Sequence, residues 1–285
     1  MSNSPPLTIA EALRRAIATL MGVSGSPRLD AELILAHVLG ERRESLIAHG
    51  EEPLPTPQQG VFDKLIRLRR EGMPVPYILG RRGFFERDFL VTSHVLIPRP
   101  ETEHLVEAAL AWAGAQDRPL RIVDVGTGSG VIALSIAARL PTAQVVATDV
   151  SAAALLIARE NGAGLGNVSY VQADLLAGIT TPFDIICANL PYIATDDLSV
   201  LDVAKFEPHV ALDGGADGLV LIRRLLAQAP SSLTTPGLML LEIGADQGTA
   251  AADLARRAFP AADVSVLKDY GGLDRVVRVG VSTVG

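Results

Sequence analysis

The chain is 285 residues long and carries 25 Lys and Arg against 32 Asp and Glu, a formal net charge of −7 at pH 7. That balance argues against strong sequence-independent binding to nucleic acid, which rests on Lys and Arg neutralising phosphates. An apolar content of 48% is ample for a packed core in one large or two modest domains, and a single cysteine, Cys187, excludes an internal disulfide and a cysteine-rich metal site.

Residues 1–6 lack the basic start and apolar core of a signal peptide and the Arg-rich pattern of a transit peptide. No window approaches the ~18 uninterrupted apolar residues of a membrane span. A cytoplasmic protein without membrane contact is the expectation. The first 75 residues read as short amphipathic helices that must bury their apolar stripes against one another, a small bundle. Thr8-Ile9-Ala10-Glu11 is a capping box opening a helix over 9–20. Ser26-Pro27 places a cap and a first-turn proline before a helix over 29–39 that Gly40 closes. Thr56-Pro57 repeats the device before a helix over 61–70, ended by Gly72.

Residues 76–98 change character. Phe84-Phe85 and Asp88-Phe89-Leu90-Val91 read as two strands turning near Glu86-Arg87, a linking β-hairpin. Pro98-Arg99-Pro100-Glu101-Thr102-Glu103 then opens a helix running to about Ala113, with Pro100 in its first turn and acids at its positive end. From Arg121 apolar runs at 122–125, 145–147, 168–171, 185–188 and 238–243 alternate with helical stretches, the pattern of a mostly parallel sheet covered on both faces. Runs at 264–267 and 276–279 leave no room for a helix between them, so an antiparallel pair at the end of the sheet is expected. The domain division is therefore 1–75, 76–98 and 99–285.

Two segments carry chemistry. Gly126-Thr127-Gly128-Ser129-Gly130 joins the first strand of the sheet to a helix, and its alternating glycines let a ligand reach main-chain N–H groups. Its Gly-x-Gly-x-Gly spacing differs from the Gly-x-Gly-x-x-Gly fingerprint of nicotinamide binders. Asp149 ends the second strand nineteen positions past Gly130, where an acid can take both hydroxyls of a ribose; Ser151 is free to cap the next helix. Asp174 ends the third strand, placed to accept from an adenine amino group with Leu175 packing on the ring. A nucleoside ligand such as S-adenosylmethionine fits these loops at least as well as NAD. The second segment is Asn189-Leu190-Pro191-Tyr192, at the exit of the apolar run over 183–188. The Asn189 side-chain oxygen and the Leu190 carbonyl can accept both N–H bonds of a planar –NH2 group, with the Tyr192 ring over one face. A proline-containing strand exit is the plainer reading of the same four residues.

These motifs resemble the class I S-adenosylmethionine-dependent methyltransferases. More narrowly, the chain from Leu7 to Val279 resembles the bacterial peptide chain release factor glutamine methyltransferases, through Asp30-Ala31-Glu32-Leu33, Pro76-Tyr77-Ile78-Leu79-Gly80, Pro98 to Glu103, Leu241-Glu242-Ile243-Gly244 and Gln247-Gly248. The resemblance implies a seven-stranded, mostly parallel Rossmann-like sheet beside a small N-terminal helical domain that helps bind the release factor. It implies S-adenosylmethionine as cofactor, held by Gly126, Thr127, Gly128, Ser129, Gly130, Asp149, Asp174, Leu175 and Asn189. Asn189, Leu190, Pro191 and Tyr192 would hold and orient the glutamine of a Gly-Gly-Gln loop, bordered by Arg99 and Glu101. No metal, no stable nucleic-acid binding and a monomer are expected. The chain departs from the family at two places: Leu190 stands where Asn-Pro-Pro-Tyr is usual, and Leu175 where an aromatic residue is frequent. Asn-Leu-Pro-Tyr also occurs in rRNA adenine dimethyltransferases, so the alternative is an adenine-N6 methyltransferase acting on RNA or DNA. A nicotinamide oxidoreductase and a cofactor-binding regulatory module fit less well. The five histidines, His37, His49, His94, His104 and His209, show no metal-ligand spacing. Arg67, Arg69, Arg70, Arg81 and Arg82 are candidates for a basic patch or for ordinary solvated faces.

Overall fold

The computed structural model describes residues 7–282; the expectation for residues 1–6 lies outside them. The chain divides into two compact units, one through Arg81 and one from Arg82. No helix among the described residues is long and apolar enough to cross a membrane.

The first unit holds α1 (Ile9–Leu20), α2 (Pro27–Leu39), α3 (Arg43–Ala48), α4 (Thr56–Arg70) and α5 (Val75–Leu79). The capping box is present: Thr8 Oγ1 accepts the Glu11 N–H at 3.2 Å, and the Glu11 carboxylate accepts the Thr8 N–H at 3.0 Å. Gly40 closes α2 in the left-handed conformation. Leu20, Ile34, Leu35, Phe62 and Ile66 form the shared core. Ser26 is the N-cap of α2 with Pro27 in its first turn, as expected, although its hydroxyl turns to the Asp30 carboxylate at 3.4 Å and makes no cap bond. One expectation is corrected: the cap of α4 is Pro55, with Thr56 already helical. Helices α3 and α5 are additions; six and five residues are too few to show a period, and Pro76 inside α5 reads as a break in sequence. Asp30 is buried and accepts from Arg69 Nε at 2.7 Å, pinning α4 to α2, so Arg69 is a structural ion pair and not part of an open basic patch.

The hairpin strands β1 (Arg81–Phe84) and β2 (Arg87–Leu90) follow, all but Arg81 belonging to the second unit. Phe85 belongs to the turn and not to a strand: Phe85 and Glu86 both have positive φ, 46° and 63°, as a tight two-residue hairpin turn demands. A one-turn helix (Pro100–Thr102) leads into α6 (Glu103–Ala113). Then β3 (Arg121–Val125), α7 (Val131–Arg139), β4 (Gln144–Asp149), α8 (Ala152–Asn161), β5 (Val168–Gln172), β6 (Phe183–Ala188), α9 (Val220–Ser232), β7 (Leu233–Glu242), α10 (Gly248–Ala258), β8 (Asp263–Lys268) and β9 (Asp274–Val281) complete the fold. The sheet has the order β5-β4-β3-β6-β7-β9-β8, parallel through β7, with β9 and β8 antiparallel at its end.

Successive strand residues face opposite sides. Ile122, Ile185 and Leu238 pack with α6 and α7, whereas Val123, Ile186 and Met239 pack with α9 and α10. Cys187 is fully buried in β6, a small hydrophobe. Because both faces are covered, ligands have access only at the strand ends, and the carboxyl ends of β3, β4, β5 and β6 lie side by side.

Candidate active site

The glycine loop is strapped to the neighbouring strand before any ligand is considered. The Gly126 and Thr127 N–H groups both donate to the Thr148 carbonyl, at 2.9 and 2.8 Å, and the Gly128 N–H donates to Asp149 Oδ2 at 2.9 Å. Gly126, Gly128 and Gly130 have φ of 74°, 55° and 88°, so the loop needs residues without a Cβ. Each then has a separate role. A Cβ on Gly126 would come within 3.0 Å of Leu190 Cδ2, and one on Gly130 within 2.8 Å of Leu134 Cδ1, so these two allow close packing. A Cβ on Gly128 would meet nothing within 4 Å, so the Cα side of this residue faces open space even though its N–H is taken by Asp149. Beneath the loop, Asp124 is fully buried and accepts from Thr127 Oγ1 at 2.6 Å and from the Ala133 N–H at 3.1 Å.

A cavity of about 460 Å³ occupies the strand ends. Gly126, Thr127, Gly128, Ser129, Asp149, Asp174, Leu175, Asn189, Leu190, Pro191 and Arg99 line it. Gly130 caps α7 and does not line it, and neither Tyr192 nor Glu101 is in the wall. Ser151 caps α8 by accepting the Ala154 N–H at 3.2 Å. Asp149 therefore has no capping duty beyond accepting the Ser151 N–H at 2.8 Å; with the Gly128 and Val150 N–H groups also on it, the carboxylate still has acceptor capacity to spare. Asp174 pairs with Arg224 at 2.6 Å on the wall, and Leu175 holds a left-handed backbone, φ 57°, that turns its side chain into the lining. The volume lies in the range of small-molecule sites. The uncrowded Cα side of Gly128, a carboxylate with spare acceptor capacity and an apolar wall at Leu175 and Val150 fit the nucleoside of S-adenosylmethionine. Of the histidines, His94 lines the same cavity, whereas His104 packs edge-on against Tyr270 with ring centroids 4.3 Å apart.

The strand exit at Asn189 is held from three directions. Asn189 Nδ2 donates to Thr102 Oγ1 at 3.1 Å. The Leu190 side chain is buried against the glycine loop, the packing that the family's usual proline would not make. The Tyr192 carbonyl accepts from Gln247 Nε2 at 2.9 Å, while Gln247 Oε1 takes the Gly244 N–H at 2.9 Å. Arg99 reaches the cavity with one face and gives Nη2 to Glu207 Oε1 at 2.5 Å; Glu207 is buried and also takes the Ile97 N–H at 3.0 Å. Glu103, at the start of α6, accepts the Phe85 N–H at 3.0 Å and so ties down the hairpin turn. Thr102, Glu207, Glu242 and Gln247 were given no chemical role from sequence. Glu242 and Gln247 stand in family-like segments that named their presence but not their partners, and Glu207 gives no local signal.

Burial pushes the Asp124 carboxyl up to about 7, against hydrogen bonds from Thr127 and Ala133. Burial likewise pushes Glu242 up to about 7, opposed by Thr102, Arg275 and Asn189 and reinforced by Glu101. Burial also raises Asp149 and the Tyr192 phenol. A carboxyl raised on folding favours the folded state fully below its unfolded pKa, and that contribution disappears as the pH rises through the folded value. Stability is therefore expected to decline between about pH 4 and pH 7, and Asp124→Asn or Glu242→Gln should each flatten the decline. Urea midpoints across that range measure it; a flat wild-type curve would contradict the assignment.

A doubly covered sheet of this strand order, with a nucleoside-sized cavity over its carboxyl ends, suits an S-adenosylmethionine-dependent methyltransferase, and its relatives show the protein to be one. A family model described as the methyltransferase small domain matches residues 107–206, and one described as the PrmC N-terminal domain matches residues 11–80. The chain is 44% identical over 275 residues to the release factor glutamine methyltransferase of Moorella thermoacetica, covering 94% of this chain and 97% of that protein. Its counterpart in Bacillus subtilis is 39% identical over 284 residues, 95% and 96% of the two chains. The chain belongs to the release factor glutamine methyltransferase family. Among solved structures, the hMettl16 catalytic domain superposes with a TM-score of 0.57 at 14% identity, over 80% of this chain and 83% of that one. A methyltransferase from Pyrococcus furiosus gives 0.50 at 16% identity, over 70% and 92%. At such identities the likeness is one of fold.

Proposed function

We propose that this enzyme transfers a methyl group from S-adenosylmethionine to the side-chain amide nitrogen of the glutamine in the Gly-Gly-Gln motif of peptide chain release factors. The observation that carries the reading is the Asn189 side chain, held by Thr102 through its nitrogen end beside the cavity that fits the cofactor. With the nitrogen committed, Oδ1 is the end left to accept an N–H, and the Leu190 carbonyl is the second acceptor. Pro191 and the Tyr192 ring complete the slot for a planar amide. Arg99, fixed by Glu207, and Glu101 border the incoming chain. Asp149 takes the ribose hydroxyls and Asp174 the adenine amino group, with Leu175 on its ring and the main chain of Gly126 to Gly130 beneath. The helical unit, residues 1–75 with the hairpin segment 76–98 after it, helps to bind the release factor whose glutamine the methyltransferase domain, 99–285, modifies.

A glutamine amide is a poor nucleophile because its lone pair is delocalised into the carbonyl. S-adenosylmethionine supplies a methyl group already activated by its positive sulfur. The residues of this chain therefore act by alignment, an effect worth roughly 7–11 kcal/mol in well-oriented systems. The acceptors at Asn189 and Leu190 draw on the two amide protons and would favour charge at the nitrogen as an N–C bond forms and the methyl–sulfur bond breaks, its electron pair returning to sulfur to leave a neutral thioether. The displaced proton leaves to water.

Methyl-labelled S-adenosylmethionine offered with a release factor, its Gly-Gly-Gln Gln→Ala variant and bulk rRNA tests the reading. Label on the wild-type factor alone is expected. Label on rRNA would replace this reading with the adenine-N6 one, against which the net charge of −7 stands.

A further inference from the structure

An amide side chain can present either end to a substrate, and only one end of Asn189 suits a glutamine –NH2. The parallel register pairs Ala188 with Leu241, so the next residues, Asn189 and Glu242, leave the sheet side by side. Thr102, from the one-turn helix before α6, is buried beside both: it accepts from Asn189 Nδ2 at 3.1 Å, and the Glu242 carboxyl takes hydrogen bonds from the Thr102 hydroxyl and the Asn189 amide. Glu242 is itself 1% exposed, and its Oε2 has no partner among the described residues. Arg275, whose charge acts on it, gives its guanidinium hydrogen bonds to Asp269 at 3.0 and 3.3 Å and to the Ile243 carbonyl at 3.3 Å. Glu242 is thus a buried acid with no cation of its own, an arrangement that costs stability.

We propose that Glu242 and Thr102 are positioning residues which set the orientation of the Asn189 amide, so that its oxygen and not its nitrogen faces the substrate. This deepens the glutamine-methylating reading above and rests on it. An ionised carboxylate is an acceptor only. It takes the Thr102 hydroxyl proton, which leaves Thr102 with lone pairs alone to offer Asn189. Both groups at that end of the amide are then acceptors, and the –NH2 must turn toward them. A protonated Glu242 reverses the logic: it can donate to Thr102 Oγ1, freeing the hydroxyl proton for Asn189 Oδ1 and allowing the amide to flip. The charged and titratable groups facing Glu242 are Glu101, Arg275 and Tyr192.

The chain has four asparagines, Asn3, Asn161, Asn167 and Asn189, so asparagine-selective 15N labelling of the full-length protein gives a readable side-chain spectrum. Thr102→Val is expected to speed exchange of the Asn189 –NH2 by about 10-fold or more and to lower kcat on the release factor by roughly 10–100-fold, the scale for groups that orient a contacting residue. Cofactor Kd and the Asn161 and Asn167 signals should stay in place, which shows that the fold is kept. Thr102→Ser should restore both readouts. Wild-type kcat should rise as the pH passes through about 7, and Glu242→Gln should remove that rise. Unchanged kcat in Thr102→Val, or a wild-type pH profile in Glu242→Gln, would overturn the proposal. If the Asn189 signal responds as described while the wild-type enzyme leaves release factor unlabelled, the orientation stands and the substrate reading falls.

Discussion

Asn189→Ala is expected to lower kcat on a release factor by about 10³-fold, equivalent to about 4 kcal/mol of transition-state stabilisation. Three losses combine. The acceptor for one substrate N–H is gone, Thr102 loses the donor at 3.1 Å, and the carboxyl of Glu242 loses one of the few groups that satisfy it. Asn189→Asp should do no better, because it sets a second carboxylate beside Glu242, where burial already disfavours charge. Steady-state kinetics with cofactor binding measured separately distinguishes this from a collapsed site: the glycine loop and Asp149 are untouched, so the cofactor Kd should move by only a few fold. A variant that retains a tenth or more of wild-type kcat would remove Asn189 from the centre of the chemistry.

Gly218→Ala should be as damaging by a different route. Gly218 has a φ of 71°, and a Cβ there would run into the Tyr192 carbonyl and come within 2.6 Å of Gln247 Nε2, the atom that holds that carbonyl. The neighbouring backbone has nowhere to go. The Ile193 N–H donates to the Leu212 carbonyl at 3.1 Å and the Gly214 N–H returns to the Ile193 carbonyl at 2.8 Å, so the strand exit and the segment at 212–218 are one hydrogen-bonded unit. A loss of about 2–4 kcal/mol of stability is expected, the range for strain and overpacking at a fixed backbone. Gly166→Ala is the control; it has no positive φ and nothing within 4 Å, and should stay within ~0.5 kcal/mol of wild type. Chemical denaturation of the two variants compares them directly, and equal midpoints would mean that the loop yields.

What could be read from sequence was what is local. The seven strands of the large sheet fall close to their expected positions because each is an apolar run bounded by turn residues, and the antiparallel pair at its end follows from the short link between β8 and β9. The hairpin slipped by a residue because Phe85 and Glu86 adopt positive φ without the glycine or asparagine that usually announces it. The cap of α4 went to Pro55, whose ring fixes φ at a value the helix entrance can use and whose ψ is extended, without a side-chain bond. In the cavity, Gly126 to Ser129, Asp149, Asp174, Leu175 and Asn189 to Pro191 stand together because topology places consecutive strand ends side by side. Thr102, Glu207 and Glu242 escaped because their partnerships span the chain: Thr102 meets Asn189 across 87 positions, and Arg99 meets Glu207 across 108. No window of sequence holds both halves of such a pair.

Asn161, the last residue of α8, has a consequence of another kind. Its side chain accepts the Leu90 N–H at 2.7 Å, donates to the Leu90 carbonyl at 3.0 Å and donates to the Ser129 carbonyl at 2.9 Å. All three partners are main-chain atoms. The residues at 90 and 129 can therefore drift in identity over generations while the tether persists, but position 161 cannot. Substitution pressure in this corner of the molecule falls on one amide, and the hairpin and the glycine loop inherit their alignment from it.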